Sequence, residues 1–390
     1  MSAHPVHPSS TTACDMLALA APGVQSLQPY QPGKPESELR RELGLEHIIK
    51  LASNENPLGP SPKALAALSS ELGTLARYPE GSGFELKQAL AARHHIDPAC
   101  ITLGNGSNDV LELLARAFLT PEHEVIFSAH AFAVYPLATQ AVGAVARVAP
   151  AHGANHPMPY GHDLQAFQER INERTRLIFI ANPNNPTGTW LPPTELEAFI
   201  AATPIQTLIV VDEAYFEYAD TPDYASALPW LEKYPNLVIC RTFSKAYGLA
   251  GLRIGYALSH PQIADLLNRV RQPFNVNSLA LAGALAALDD TAFIARSQAE
   301  NNAGLQVLQA LCDELKLRYL PSQANFLCID FGRPALPIFQ ALLQRGIIVR
   351  PVANYGLPDH LRITIGTTAE NTALAHALRE IVGQPQPAES

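Results

Sequence analysis

The sequence predicts an α/β fold: a large domain with a mostly parallel central sheet covered by helices, and a smaller α+β domain beside it. Three observations carry that expectation. The runs EVIFSA (124–129), RLIFIANP (176–183), TLIVVDEA (207–214) and LVICRTFS (237–244) are apolar on both faces, as strands buried on both sides of a parallel sheet must be. Helical stretches separate several of them, which is the connection parallel neighbours require. After about residue 280 the pattern changes: the Ala/Leu helix LALAGALAAL (279–288) leads to NFLCIDF (325–331), GIIVRPV (346–352) and LRITIGT (361–367). The expected large domain is 51–284, with 30–50 and 285–390 forming the small one.

Residues 1–29 are polar, rich in Pro, Ser and Thr, and read as a largely flexible arm; the GQPQPAES end reads as frayed. Ser61-Pro62 opens a helix with Leu65, Leu68, Leu72 and Leu75 at helical spacing. ITLGNG (101–106) is a short strand and turn, and Ser107 starts a helix with Leu111, Leu114 and Phe118 on one face. Of the 390 residues 47% are apolar and 16% charged, ample for a large core. A net charge of −9 argues against nucleic-acid or anionic-membrane partners, and no apolar stretch reaches eighteen residues. The N-terminus has no basic region that would make a signal peptide. Five cysteines, widely spaced and without a CxxC, suit a reducing cytoplasm and suggest neither a metal site nor a disulfide framework.

In a parallel α/β sheet, ligands sit beyond the carboxyl ends of the strands, so the polar residues found there are the candidates. Gly104–Asn108 (GNGSN) joins a strand to a helix start, an anion site or merely a cap. Asn182–Gly188 (NPNNPTG) follows RLIFIA, either an ordinary loop or one whose prolines hold two asparagines in a fixed orientation. Asp212 ends LIVV, where a carboxylate needs a cationic or protonated partner; a cap or a structural salt bridge is the plain alternative. Tyr215 follows three residues later. Lys245 lies just past LVIC, with Thr242 and Ser244 beside it and Arg253 downstream; alone, it reads as a lysine reaching solvent.

Together these residues suit one cofactor, pyridoxal 5′-phosphate. It needs a lysine amine of lowered pKa for its aldehyde, a carboxylate for its pyridine nitrogen, donors for its phenolic oxygen and an anion cup for its phosphate.

The ordered motifs GNGSND, NPNNPTG, DEAY and SKAYGLAGLRIGY resemble the fold-type I, class I/II PLP-dependent aminotransferases. NENPLGPSPKAL (54–65), RYPEGSG (77–83), HAFAVYP (130–136), RQPFNVN (271–277) and LRITIGT (361–367) narrow the resemblance to the histidinol-phosphate aminotransferase branch, from about Tyr30 to residue 370. The resemblance implies the following roles. Lys245 would be the Schiff-base lysine and general base, Asp212 the pyridinium partner, and Asn185 and Tyr215 the donors to the phenolic oxygen. Ser107 and Asn108 (through backbone amides), Thr242, Ser244 and Arg253 would hold the phosphate. Phe132 would stack on the ring, without the hydrogen bond that a Tyr or Trp there could donate. Tyr78 would reach the cofactor of a neighbouring subunit in a homodimer with shared sites.

Arg362, helped by Arg350 and Tyr30, would bind the phosphate of histidinol phosphate in one half-reaction and the carboxylate of glutamate or 2-oxoglutarate in the other; inter-lobe packing is the alternative for Arg350 and Tyr30. Asn56 belongs to the expected substrate-binding set. The implied reaction is a ping-pong transamination in histidine biosynthesis. Three other readings share these motifs: an aromatic or broad-range aminotransferase, a PLP-dependent amino-acid-phosphate decarboxylase, and a PLP-sensing regulator. The last needs a DNA-binding domain for which the N-terminal arm has no room.

Overall fold

A computed structural model of the chain describes residues 15–383. The expected flexible start before Asp15 and the expected frayed end after Gly383 lie outside them. Within 15–29, the Asp15 side chain caps a four-residue helix, Met16–Leu19, and Pro22–Gln25 forms a second short one.

Seven strands form the central sheet: β1 (Ile101–Gly104), β2 (Glu124–Ser128), β3 (Val145–Ala149), β4 (Thr175–Ala181), β5 (Leu208–Asp212), β6 (Leu237–Thr242) and β7 (Gly255–Ser259). Their order across the sheet is β1-β7-β6-β5-β4-β2-β3. All contacts are parallel except those of β7, which is antiparallel to both its neighbours. The twelve residues between β6 and β7 form turns and one 3₁₀ turn, Ala250–Leu252, with no crossover helix, in keeping with the antiparallel return.

Alternation along the strands feeds two apolar layers. Ile178, Ile180, Ile209, Val211 and Ile239 face one layer, and Leu177, Phe179, Val210, Val238 and Cys240 the other. Burial on both faces is why these segments read as continuous apolar runs. The sequence placed β2, β4, β5 and β6 correctly. The solvent-facing edge strand β3, four of whose five residues are exposed, carried no such signal.

A second sheet contains β8 (Arg318–Tyr319), β9 (Phe326–Asp330), β10 (Arg350–Pro351) and β11 (His360–Thr364), antiparallel throughout in the order β10-β11-β9-β8. Cross-strand register places Arg350 opposite Arg362. GIIVRPV is therefore two short strands rather than one: Ile347–Ile348 pairs in parallel with Ile49–Lys50, and Arg350–Pro351 joins the other sheet. Pro351 has no N–H with which to extend a ladder. Leu51 enters the apolar cluster of Leu327, Ile363 and Val349, so the chain from 49 to 55 runs beside the second sheet.

Helix α1 (Pro62–Glu71), capped by Ser61, passes into a 3₁₀ turn at Leu72–Thr74, short of the continuous helix expected to Leu75. Its leucine row is only partly covered within the chain: Leu68 packs near Gly283, while Leu65, Leu72 and Leu75 are exposed, as are Tyr78 and Phe84 nearby. Helix α2 (Ser107–Phe118) buries Leu111 and Leu114 as its periodicity demands. Among the described residues, no single helix is long and apolar enough to cross a membrane.

Candidate active site

Register brings the polar strand ends together. Ala181 pairs with Asp212, and Asp212 with Cys240, so β4, β5 and β6 end side by side. A cavity of about 250 Å³ opens there, bounded by the start of α2 on one side and by β10, β11 and the segment 30–55 on the other. Of the residues expected from the sequence, Tyr30, Ser107, Asn108, Phe132, Asn185, Asp212, Tyr215, Thr242, Ser244, Lys245, Arg253, Arg350 and Arg362 all line it.

Two expected residues do not. Asn56 is buried with its amide committed to Ala246 O (2.8 Å) and Ser297 Oγ (2.9 Å), which fixes the turn after Lys245 from behind. Tyr78 stands 83% exposed on the protein surface, its ring stacked on Phe274 at 4.8 Å.

Asp212 is buried at the tip of β5. The Tyr135 hydroxyl donates to its Oδ2 at 2.9 Å and the Ala214 N–H to its Oδ1 at 3.2 Å. Burial pushes its pKa up to about 6, while these two donors pull the other way. Among the described residues no cationic side chain pairs with it, which leaves the carboxylate fitted to a protonated nitrogen brought by a ligand.

Lys245 donates from Nζ to Ser53 O at 3.2 Å and sits 5.7 Å from the centre of the Tyr215 ring. Burial, followed by the nearby Arg362 guanidinium, lowers its pKa to about 8. A substantial fraction of the amine is therefore free at mildly alkaline pH, as a nucleophile or base requires. The Tyr215 hydroxyl accepts from Asn54 Nδ2 at 2.8 Å, and burial pushes its pKa up to about 12, so it remains a proton donor.

The anion cup is built from backbone. Gly106, the residue before α2, has φ +85° and caps the helix with no side chain, leaving the first amides unclaimed by a cap. A Cβ on Gly106 would lie 2.5 Å from Arg253 Nη2, and one on Gly255 would collide with the Ser107 amide nitrogen. These two glycines let Arg253, Thr242 and Ser244 crowd around one helix terminus. Amides, hydroxyls and a guanidinium converging there are the donor set for a phosphate.

On the outer wall, Arg362 donates through Nη1 to Asn185 Oδ1 and through Nη2 to Ala52 O, both at 2.6 Å, while its buried Nε has no partner. The Asn185 oxygen is thus occupied and its amide nitrogen is free to donate. Arg350 donates to Gln31 O at 2.7 Å, holding the segment of Tyr30 and Gly33 against the cavity.

The sequence reading missed Tyr135, Asn54, Ser53 and Glu55. Tyr135 was inside the quoted HAFAVYP and Asn54 inside NENPLGPSPKAL. The available signal for Tyr135 was its place three residues after Phe132, which on a helix returns toward the same side.

This geometry suits pyridoxal 5′-phosphate, with a lysine, a carboxylate and an anion cup around one cavity, and it defines a fold-type I enzyme of the aminotransferase kind. The description aminotransferase class I and II matches residues 46–378. The chain is 59% identical over 372 residues to histidinol-phosphate aminotransferase 2 of Pseudomonas fluorescens, covering 95% of this chain and 99% of the relative. The crystal structure of histidinol-phosphate aminotransferase from Sinorhizobium meliloti in complex with pyridoxal-5′-phosphate superposes with a TM-score of 0.86 at 31% identity, covering 96% and 99% of the two chains. L-threonine-O-3-phosphate decarboxylase from Porphyromonas gingivalis superposes at 0.75 with 23% identity, over 86% and 100%, a likeness of fold alone. The chain belongs to the class I and II aminotransferases, and within them to the histidinol-phosphate aminotransferase family.

Proposed function

We propose that the cavity performs the reaction L-histidinol phosphate + 2-oxoglutarate ⇌ 3-(imidazol-4-yl)-2-oxopropyl phosphate + L-glutamate, with pyridoxal 5′-phosphate as the cofactor. The observation that carries this reading is the meeting of Lys245, Asp212 and the Arg350/Arg362 pair in one cavity of a chain 59% identical to a named family member. When bound, the cofactor supplies an aldehyde for amine exchange and a ring that accepts electrons from the substrate carbon.

The chain's own groups do the rest. Ser107 and Asn108 amides, Thr242, Ser244 and Arg253 hold the phosphate. Asp212 keeps the pyridine nitrogen protonated, and Asn185 Nδ2 and the Tyr215 hydroxyl donate to the phenolic oxygen. Phe132 covers the ring face. Lys245 would attach the cofactor through its amine and, once freed by the substrate amine, would serve as the base that holds and moves the proton of the substrate carbon. Arg362 and Arg350, cross-strand neighbours, give two planar forks that suit a phosphate or a carboxylate equally, so one anchor serves both half-reactions.

The enzyme works as a homodimer in the cytoplasm on this reading. The exposed row of Leu65, Leu72, Leu75 and Tyr78 supplies an apolar face for a second copy, which would bring Tyr78 toward the partner's cofactor phosphate.

Stoichiometry tests the reaction. Holoenzyme given histidinol phosphate alone should yield about one equivalent of the ketone per site. Adding 2-oxoglutarate should restore turnover with matching glutamate. Release of CO2 from an amino-acid phosphate that does carry a carboxylate, such as L-threonine O-3-phosphate, with no need for 2-oxoglutarate and no turnover of histidinol phosphate, would replace this reading with the decarboxylase.

A further inference from the structure

Directly after Asp212 the chain carries a second buried carboxylate, for which the proposed reaction has no use. Glu213 is 1% exposed and faces away from the cavity, since neighbouring residues on a strand point to opposite sides. There it meets Arg241 of β6, itself 2% exposed. Arg241 donates from Nε and Nη2 to Glu213 Oε2 at 3.0 and 2.8 Å, and from Nη2 to Ser226 Oγ at 2.8 Å. The Ala227 amide takes Oε1 at 2.7 Å, and the guanidinium lies 3.7 Å from the centre of the Phe216 ring. Every oxygen of the carboxylate is engaged.

Burying such a pair contributes little net stability, because desolvating two ions offsets their attraction. Its place in the chain suggests what it does instead. Glu213 is one residue from Asp212, and Arg241 is one from Thr242 and four from Lys245. The pair therefore ties together the two strand ends that carry the cofactor-binding groups.

We propose that the Glu213–Arg241 pair is the electrostatic support of Asp212: it fixes the tip of β5 and cancels the negative charge beside it, keeping Asp212 ionised toward the pyridine nitrogen. This rests on the reading that Asp212 meets that nitrogen.

The surroundings leave Arg241 as the counter-charge. Burial pushes Glu217 up to about 8, so it is neutral at pH 7. Burial, with Arg241 adding to it, pushes His94 down to about 3, so it is neutral too, its Nε2 lying 3.0 Å from the Tyr256 hydroxyl. Tyr224, Tyr247 and Tyr256 are raised by burial and uncharged. Arg93 acts on this cluster from the helix Phe84–His94 while donating to Leu288 O. On the cavity side, Asp212 is faced by Tyr135, Tyr215, Cys240 and Lys245. Glu213 opposes the ionisation of Asp212, so removing its partner and removing Glu213 itself must act in opposite directions.

The test uses the full chain, stripped of cofactor and titrated with pyridoxal 5′-phosphate across pH, with binding read from the visible absorbance. Titrations of the ligand itself are common to all variants, so shifts between variants report the protein. Arg241→Met should move the acid break upward by about one unit and weaken binding about tenfold at pH 5, below the break, but only about twofold at pH 7. Glu213→Gln should move the break downward, and the double variant should return it to within about threefold of wild-type affinity.

Shifts of the same sign in both single variants, or no shift in either, would overturn the proposal. If Arg241→Met does not fold, the sign test stands on Glu213→Gln against the double variant. Asp212→Asn separates the two claims. If it leaves both affinity and break untouched, the reading of Asp212 itself fails. If it removes the break and the pair variants do not move it, the support role alone fails.

Discussion

The inner and outer walls of the cavity are built in different ways. The inner wall comes from one sheet: Asp212 and Thr242 end β5 and β6, Lys245 follows three residues after β6, and Ser107 begins the helix after β1. The outer wall is assembled from remote segments. Arg362 is tied to Asn185 across 177 residues and to Ala52 across 310, and Arg350 to Gln31 across 319. On the proposed roles the inner wall holds the groups that perform chemistry, on strands buried on both faces and so least able to move. On the same proposed roles the outer wall holds the groups that recognise the substrate, on short strands and on a segment hydrogen-bonded to them at Leu51, Ala52 and Asn54. The groups proposed for chemistry thus share one sheet, while those proposed for recognition are gathered from parts of the chain far apart in sequence.

That contrast can be broken or sharpened by substitution. Lys245→Ala should have the largest effect, a loss of at least about a thousandfold in kcat, since it removes both the attachment point and the base. Steady-state rates above a hundredth of wild type would mean that the inner wall does not work as described. Asp212→Ala should cost about a hundredfold in kcat with a smaller change in KM, because the carboxylate matters most when charge develops on the ring; rates near normal would make it a structural group.

Arg362→Leu should act through recognition instead, lowering kcat/KM by roughly ten- to a hundredfold for histidinol phosphate and glutamate alike. Loss for only one of them would show that the two half-reactions use separate anchors. Tyr135→Phe should have the smallest effect at alkaline pH. The hydroxyl donates to the ionised form of Asp212 and so lowers its pKa; without it that pKa rises above about 6, by about one unit. Cofactor binding, followed by absorbance, should then fail at a higher pH than in wild type while remaining near normal at pH 8.

The same contrast explains how much was readable beforehand. Asp212 and Lys245 follow apolar runs directly, so the strand-end rule alone put them in one place. The anchoring role of Arg362 came only through the family resemblance, because its partners are fixed by a register that no local pattern encodes. Asn56 sits in a segment that does line the cavity, through Asn54 and Glu55, yet its own amide turns away to Ala246 and Ser297. Direction along an irregular segment has no period to read. The exposed face of α1 was invisible for the opposite reason: leucines at helical spacing look alike whether another part of the chain covers them or nothing in the chain does.

Specificity constants for L-histidinol phosphate and L-phenylalanine, each measured with 2-oxoglutarate on the same holoenzyme, test the central claim most directly. Two guanidinium groups facing a dianionic phosphate, against the single negative charge of a carboxylate, predict that histidinol phosphate is preferred by at least about tenfold. A preference for phenylalanine would contradict the account and make the chain an aromatic aminotransferase on this scaffold.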